Sequence, residues 1–455
     1  MRRRTTGILT GIGIIVVVLG IVYAVAVVRA TARLRRAYAA LEADGRPMRA
    51  TEVVPPTVPD TQNAMVLYES AAAMLKAQPA PQRNLLYYMG KLADSFWSDS
   101  PDPNTSAELR QLMGQDVVLR ALSAVEQGTQ RPACRLNRDY EAGVPLEMPI
   151  LDDLRSLARL LAIEARLEVE GGKPDAAWNT VLAQLRFADG LRSDPLYEGQ
   201  LCRTGLIGLT CRTIQRLCEM TPPGKEEYRK IDGLLKDLDD IGPLIHATDG
   251  ERLLIGEWLF NLPKDQLYRA LRERMFGHGG SVPEIIPRLA FRIIIFKPRL
   301  LRDHATYLEL MRAHARALPG PYAPRGSDAH KEIDGLIARR GLLTELLAPM
   351  YYQDIHYRRL ADVRMTRAGL ALLQYRQAQG SFPPTLDALG LEKLIDPYTQ
   401  EPLHYRPEGE GFVVYSVGED LKDNGGKPRS RQSSDPRQRI PVEYDLLWRF
   451  PRSAP

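Results

Sequence analysis

The sequence predicts a mainly α-helical protein with three parts: an N-terminal transmembrane helix, a helical-hairpin bundle or short solenoid, and a small α+β domain with an antiparallel sheet. Three observations support this prediction. Residues 7–28 contain no charged side chain, residues 151–219 carry apolar side chains at helical spacing, and two strand-like runs at residues 403–406 and 412–417 flank a loop rich in Gly and Pro. With 455 residues, the chain is long enough for two or three domains.

The N-terminal apolar run predicts a membrane span. Residues 1–6 form a short tail and residues 7–28 the transmembrane helix, because about 20 apolar residues cross the hydrocarbon core. A cleaved signal peptide is the alternative, since Ala24-Val25-Ala26 fits a cleavage site. The apolar core of a signal peptide usually has only about 7–15 residues, which favours an uncleaved anchor.

The orientation of this span does not follow from its flanking charges. Three arginines precede it and four follow it, so the positive-inside rule favours neither side: Arg2, Arg3, Arg4, Arg29, Arg33, Arg35 and Arg36.

The composition and charge of the chain exclude several classes of function. The net charge is only +5, and basic residues are interspersed with acidic ones, so no nucleic-acid partner is predicted. The four cysteines include no C-x-x-C pair. Cys211 and Cys218 lie seven residues apart in a helical pattern, about 10 Å along one face, which is too far for a disulfide. The cysteines are therefore predicted to be small buried core residues.

The rest of the chain divides at Pro- and Gly-rich stretches. Residues 29–59 are predicted as a juxtamembrane helix and a Pro-rich linker, residues 60–318 as a helical domain, and residues 319–350 as a linker and connecting helix. Asp60 is placed to cap the first helix of that domain. The break at residues 171–175 resembles the turn of one tetratricopeptide hairpin, but no second copy follows.

Residues 282–301 are apolar and basic, and three prolines interrupt them. The stretch is too short an apolar run to span a bilayer. It is consistent either with a buried helix that has a basic flank or with a segment lying on an anionic membrane surface.

Residues 351–455 carry the most specific pattern. A helix ends in Tyr375-Arg376 and is followed by Gly380-Ser381-Phe382-Pro383; then come Asp396-Pro397, Pro402 and Tyr405, and finally Tyr415-Ser416, Gly418 and Asp420. In this order and spacing, the stretch resembles the globular domain of the major pseudopilin of type II secretion. The resemblance implies one helix packed on a small antiparallel sheet. The sequence further predicts strands at residues 403–406, 412–417 and 443–449, the first two joined by a long loop.

The resemblance also implies a location. It places the bulk of the chain outside the cytoplasm, attached to the bacterial inner membrane by a single span. Two departures argue against a filament subunit: the chain has no pseudopilin processing site, and its apolar span lies more than 300 residues before the resembling domain.

The resemblance further implies a calcium site in the loop after the last matching strand. Asp420, Asp423 and Asn424 offer the oxygen ligands that Ca²⁺ prefers, although three side chains do not complete its shell of six to eight oxygens. The alternative is a turn stabilised by Asp, Asn and Gly. Bound calcium would order the loop and would not perform chemistry.

No known catalytic motif is found in the sequence. The function predicted is therefore a membrane-anchored extracytoplasmic interaction or scaffold protein without catalytic activity, linked to a secretion or envelope system through a protein partner. Two alternatives stay open: an enzyme whose site is not visible as a motif, and a cytoplasm-facing anchored helical adaptor.

Overall fold

The computed structural model describes residues 2–97, 102–140, 149–263, 266–267, 297–324, 327–347, 352–392, 394–427 and 445–451. Its α-helices are α1 (Arg2–Ala43), α2 (Ala64–Lys76), α3 (Leu85–Phe96), α4 (Pro103–Met113), α5 (Asp116–Gly128), α6 (Pro149–Glu170), α7 (Pro174–Asp189), α8 (Tyr197–Met220), α9 (Lys225–Leu238), α10 (Gly242–Gly250), α11 (Trp258–Asn261), α12 (Lys297–Ala317), α13 (Lys331–Ala338), α14 (Leu342–Leu347) and α15 (Tyr352–Gln379).

The strands are β1 (His404–Glu408), β2 (Gly411–Ser416) and β3 (Leu446–Phe450), which form an antiparallel sheet in the order β1-β2-β3. A π-helical segment, Glu251–Glu257, joins α10 to α11. These elements confirm the predicted fold class: mainly helical, with an apolar N-terminal helix and a small antiparallel sheet near the C-terminus. Most of the apolar and basic stretch at residues 282–301 lies outside the described residues, which resume at Lys297.

Helix α1 is one unbroken helix that joins the apolar run to the charged extension after it. Its stretch Gly11–Ala43 is long and apolar enough to cross a membrane, and no part of its most apolar 18 residues is buried inside the body. Residues such as Ile14 and Val28 are therefore exposed, the latter by 67%. Exposed β-branched and leucine side chains on this scale are unusual in water and match a lipid environment.

The second half of α1 packs along α12. Ala30, Ala37 and Leu41 are buried in this contact. Asp44 accepts two hydrogen bonds from Arg312, at 2.8 and 2.9 Å. The predicted linker that follows also packs against the body, since Val53 is buried against residues that include Leu253 and Leu254.

The helical body contains the predicted hairpin. Helices α6 and α7 are joined at Gly171 and Gly172, where the second glycine has φ +74°, a left-handed conformation that favours glycine. Pro174 then begins α7 in the first-turn position that proline tolerates. All four cysteines are free. Cys202, Cys211 and Cys218 are buried in α8, as predicted, whereas Cys134 lies outside the helices and is only partly buried. Helix α2 differs in one detail, because Asn63 rather than Asp60 caps it, accepting from the Met65 amide at 3.2 Å.

Helix α15 connects the helical body to the sheet. One side packs on α8 and α9 and the other on β2 and β3. Ion pairs of 2.8 and 2.7 Å join Arg364 to Asp239 and Arg367 to Asp232. A continuous hydrophobic core therefore reaches from Met65 to Trp448 across the predicted domain boundary.

The three predicted strands are confirmed, with ends shifted by a few residues. The long loop predicted between the first two strands is wrong: Glu408 pairs with Gly411, which leaves a two-residue turn. Gly409 has φ +54° there, as tight hairpin turns require. Because Glu408 can pair in the ladder, the strand continues through the segment that the sequence suggested was loop.

Asp396 fastens the turn before β1 to the end of β2. Its side chain is fully buried. One oxygen accepts from the Tyr398 amide and the Ser416 hydroxyl, both at 2.9 Å, and the other accepts from the Val417 amide at 2.9 Å. The buried carboxylate therefore has three donors and no open solvent face.

Candidate functional site

A cavity of about 1030 Å³ lies where α1 meets the body. The end of α1, the predicted linker, residues 135–140 and the π-helical segment enclose it. Its lining combines apolar and charged side chains: Tyr38, Met48, Val54, Arg135, Arg138, Asp139, Tyr140, Leu253, Leu254, Glu257, Trp258 and Leu262. The cavity is therefore formed by parts of the chain that are far apart in sequence.

The π-helical segment shapes one wall. Helices of this type are rare and often occur at functional sites, because the extra residue changes the direction of neighbouring side chains. Gly250 and Gly256 allow the π-helical segment to pack closely against Pro195 and Tyr307. A Cβ atom at Gly250 would overlap the Pro195 carbonyl, and one at Gly256 would overlap the Tyr307 ring.

Glu257, the last residue of the π-helical segment, is the hub of a polar cluster at the cavity. Its Oε2 accepts from the Tyr38 hydroxyl at 2.7 Å and lies 3.0 Å from His304 Nε2. The His304 ring is stacked on Phe260, with centroids 4.3 Å apart and planes 4° from parallel. Three separate elements, α1, the π-helical segment and α12, therefore meet at one carboxylate.

The cluster fixes the charge state of its members. Burial raises the pKa of Glu257, but the hydrogen bonds from His304 and Tyr38, together with the nearby positive charges, outweigh it and leave the pKa below its usual value. Burial, and then the bond to Glu257, raise the pKa of Tyr38 well above its usual value. At neutral pH, Glu257 is therefore an anion and Tyr38 a neutral donor.

A buried arginine, Arg252, lies beside this cluster. Arg252 is 1% exposed and donates to the Pro47 carbonyl, and its guanidinium lies 3.6 Å from Asp249 and 4.0 Å from Glu257 Oε1. Arg46 completes the group with an ion pair of 2.6 Å to Asp249. These charges tie the segment after α1 to the π-helical segment, so that the cavity wall and the anchor helix are joined.

Residues 135–140 add further charged groups to the lining. Arg138 lies 3.3 Å from the buried Asp194. Burial raises the pKa of Asp194 to about 7, with the Arg138 charge opposing the rise. The Arg135 guanidinium lies over the Tyr140 ring, 5.1 Å from its centroid, and its Nε donates to the Pro55 carbonyl at 3.1 Å. The cavity lining thus includes both cationic groups and the Glu257 carboxylate.

Sequence reasoning missed these residues. Thr248 to Leu262 follow an ordinary amphipathic helix pattern, and nothing in that pattern separates Glu257 from a surface glutamate. Two glycines six residues apart inside a helix pattern, Gly250 and Gly256, were the available signal, because glycine within a helix often marks close packing.

The predicted calcium ligands do lie together after β2. Asp423 accepts from the Tyr415 hydroxyl at 3.0 Å and from the Gly425 amide at 2.8 Å. Asp420 accepts from the Asn424 side-chain amide at 3.1 Å. The loop therefore has the internal hydrogen bonds of an Asx turn, and calcium binding stays a prediction. In the ranges that the structure describes, no group of three His, Cys, Asp or Glu side chains is arranged to hold a metal.

Asp445, beside β3, also holds this loop, and it was not predicted from the sequence. It is buried, and it accepts from the Gly426 amide at 2.7 Å and from the Asn424 and Lys427 amides at 3.3 Å. Because it lies beside β3, these hydrogen bonds fasten the loop to the sheet.

A second group of carboxylates lies between α5 and α6. Burial is the main cause that raises the pKa of Glu164 to about 8, and the negative charges of Glu126 and Glu168 contribute to the rise. Its Oε2 is buried without a hydrogen-bond partner. The folded chain therefore holds a proton on this group at pH values where the unfolded chain has lost it, so stability is present below about pH 4.5 and is lost as the pH rises towards 8.

Replacing Glu164 by glutamine is expected to stabilise the chain at pH 8, on the order of 2 kcal/mol, because the amide is neutral at every pH. The midpoint of denaturant unfolding, measured from pH 5 to pH 8, should fall less steeply in the variant than in the wild type. The exposed Asp175→Asn is the control and should leave the pH dependence unchanged. Equal slopes for E164Q and wild type would contradict the prediction.

No known protein family, curated protein or solved structure matches this chain. The pseudopilin resemblance therefore stays a hypothesis. The described residues contain the helix and the small antiparallel sheet that it implies, but that arrangement is common to many unrelated domains.

Proposed function

We propose that this chain is a membrane-anchored interaction protein that holds a segment of a cell-envelope protein in the cavity beside α1. The observation that carries the proposal is the position of the cavity, because Tyr38, in the same continuous helix as the apolar span, forms part of its lining. The proposal places the bulk of the chain on the outer side of the bacterial inner membrane, and the pseudopilin resemblance supports that side.

The size and lining of the cavity support a peptide segment as the ligand. Its volume of about 1030 Å³ is at the upper end of the range for small-molecule pockets, and it is open to one side. Apolar side chains such as Leu254 and Trp258 line the cavity together with the charged Arg135 and Glu257. A combination of apolar and charged groups is typical of a protein interface.

An enzyme is the second candidate, because Tyr38 and Glu257 converge on the cavity. The ionised Glu257 has the charge state of a general base. However, Tyr38 and His304 already engage the same oxygen of Glu257. These contacts favour binding over catalysis.

Site-specific photocrosslinking in intact membranes tests the proposal. A photoreactive amino acid at Thr51, on the exposed rim, should give a discrete adduct with an envelope protein, whereas the same group at Lys230 on α9 should not. Ala50→Trp places a large ring in the cavity and should remove the adduct. Ala107→Trp, an equal change at an exposed site on α4, should leave it unchanged.

The outcomes separate the candidates. An adduct that survives A50W, or that forms equally at Lys230, would overturn the proposed cavity function. The side of the membrane is tested separately with a reporter fused after Pro455. Reporter activity confined to the cytoplasm would favour the cytoplasm-facing adaptor.

A further inference from the structure

Helices α1 and α12 run parallel, in the same direction away from the apolar span. Contacts between them join Arg33 to Thr306, Tyr38 to His304, and Asp44 to Arg312, with sequence separations of 273, 266 and 268. In an antiparallel pair the separation would change by about two for each residue along α1, roughly 20 over this stretch. The nearly constant separation therefore establishes the parallel arrangement.

The first residue of α12 lies level with the end of the apolar run. With a mean separation of about 269, Lys297 is at the height of about residue 28 of α1, within a turn or so. Val28 is the last residue of the uncharged stretch and is strongly exposed. The beginning of α12 is therefore at the height where a spanning α1 would pass from hydrocarbon into headgroups.

Basic side chains from both helices lie within about two helical turns of this height. Six of them are exposed: Arg29, Arg35, Arg36, Lys297, Arg299 and Arg302. None has a carboxylate partner among the described residues, whereas the neighbouring Arg33 is held by Glu309 at 2.6 Å. An unneutralised group of cations beside a membrane span matches the negative charge of phosphate headgroups.

We propose that these six residues, here called the basic collar, bind anionic phospholipid headgroups and hold the start of α12 against the bilayer. The chain would then contact the membrane at two places, through the span of α1 and through the collar. This inference rests on the membrane anchoring in the proposed function and is independent of what the cavity binds.

Hydrogen exchange of the full chain in lipid nanodiscs tests the collar. The amides at the start of α12 are expected to exchange about threefold or more slowly in discs containing phosphatidylglycerol than in phosphatidylcholine discs, because headgroup contact suppresses local opening. The triple variant K297E/R299E/R302E should lose this difference, and so should the wild type in high salt.

A matched triple variant provides the control. Lys225, Arg229 and Lys230 are exposed on α9, and changing all three to glutamate should preserve the lipid dependence. Normal protection of the α8 amides establishes that each variant is folded. Equal exchange in both lipids for the wild type would overturn the collar while leaving the anchor intact. Failure of the chain to enter the discs would overturn both.

Discussion

Replacing Asp396 by alanine is expected to detach the turn before β1 from the sheet and to lower the free energy of unfolding by about 4 kcal/mol. The wild-type carboxylate accepts from the Tyr398 amide, the Ser416 hydroxyl and the Val417 amide in a fully buried place. Alanine leaves all three donors without an acceptor, and each buried unsatisfied group costs about 1–3 kcal/mol. Limited proteolysis should then cleave the region after α15 first.

The matched change is Asp387→Ala, which removes an exposed carboxylate from the same module and should shift the unfolding midpoint little. The unfolding midpoint of Asp396→Asn should lie between those of D396A and D387A, because one side-chain oxygen can still accept a hydrogen bond. Denaturant unfolding of the detergent-solubilised chain gives the three values. A midpoint for D396A equal to that of D387A would show that Asp396 does not fasten the turn.

The second large loss of stability is expected from a substitution in the π-helical segment. Gly256→Ala places a methyl group where the Tyr307 ring lies, and that ring is 1% exposed, so it has no open space to move into. Overpacking of this kind costs about 3 kcal/mol. The strain falls next to Glu257, so the variant should also weaken the Thr51 crosslink described above.

Gly233→Ala is the same chemical change, but it is expected to raise the stability of the chain rather than to lower it. Gly233 is on the exposed face of α9, and a Cβ atom there meets nothing within 4 Å. Alanine should stabilise this helix by up to about 1 kcal/mol, because it restricts the unfolded chain and has the higher helix propensity. Thermal unfolding of both variants gives the comparison. Equal stability of G256A and G233A would contradict the close packing of the π-helical segment on Tyr307.

The parts of the fold that the sequence predicts are those specified by local patterns. The uncharged run of α1, the Gly-Gly-x-Pro break between α6 and α7, and the alternating strands of the tail each depend on neighbouring residues. The length of the β1–β2 turn was missed because Pro407 suggested a loop, although proline fits an edge strand such as β1. The cap of α2 was missed for a related reason: Asn63 is selected by its bond to the distant Arg135 carbonyl as well as by its position.

The candidate site was not predictable in the same way. Tyr38, Glu257 and His304 lie in three helices separated by more than 40 residues, and only tertiary packing brings them together. Each residue in its own sequence context is typical of a helix surface. Because its prolines prevent a helix, the charged segment after α1 is predicted to be a linker, yet proline-rich chain can also lie flat on a packed body when buried groups such as Arg252 donate hydrogen bonds to its carbonyls.

Because residues 47–59 are packed rather than free, the direction of α1 sets the direction in which the cavity faces. A flexible segment of that length would span about 20 Å and let the body reorient freely. The packed segment removes this freedom, and Tyr38 remains about 15 Å beyond Val28 along the helix axis. A partner held in the same bilayer would therefore lose less rotational entropy on docking, and its complementary segment, if helical, should lie within roughly ten residues of its own span.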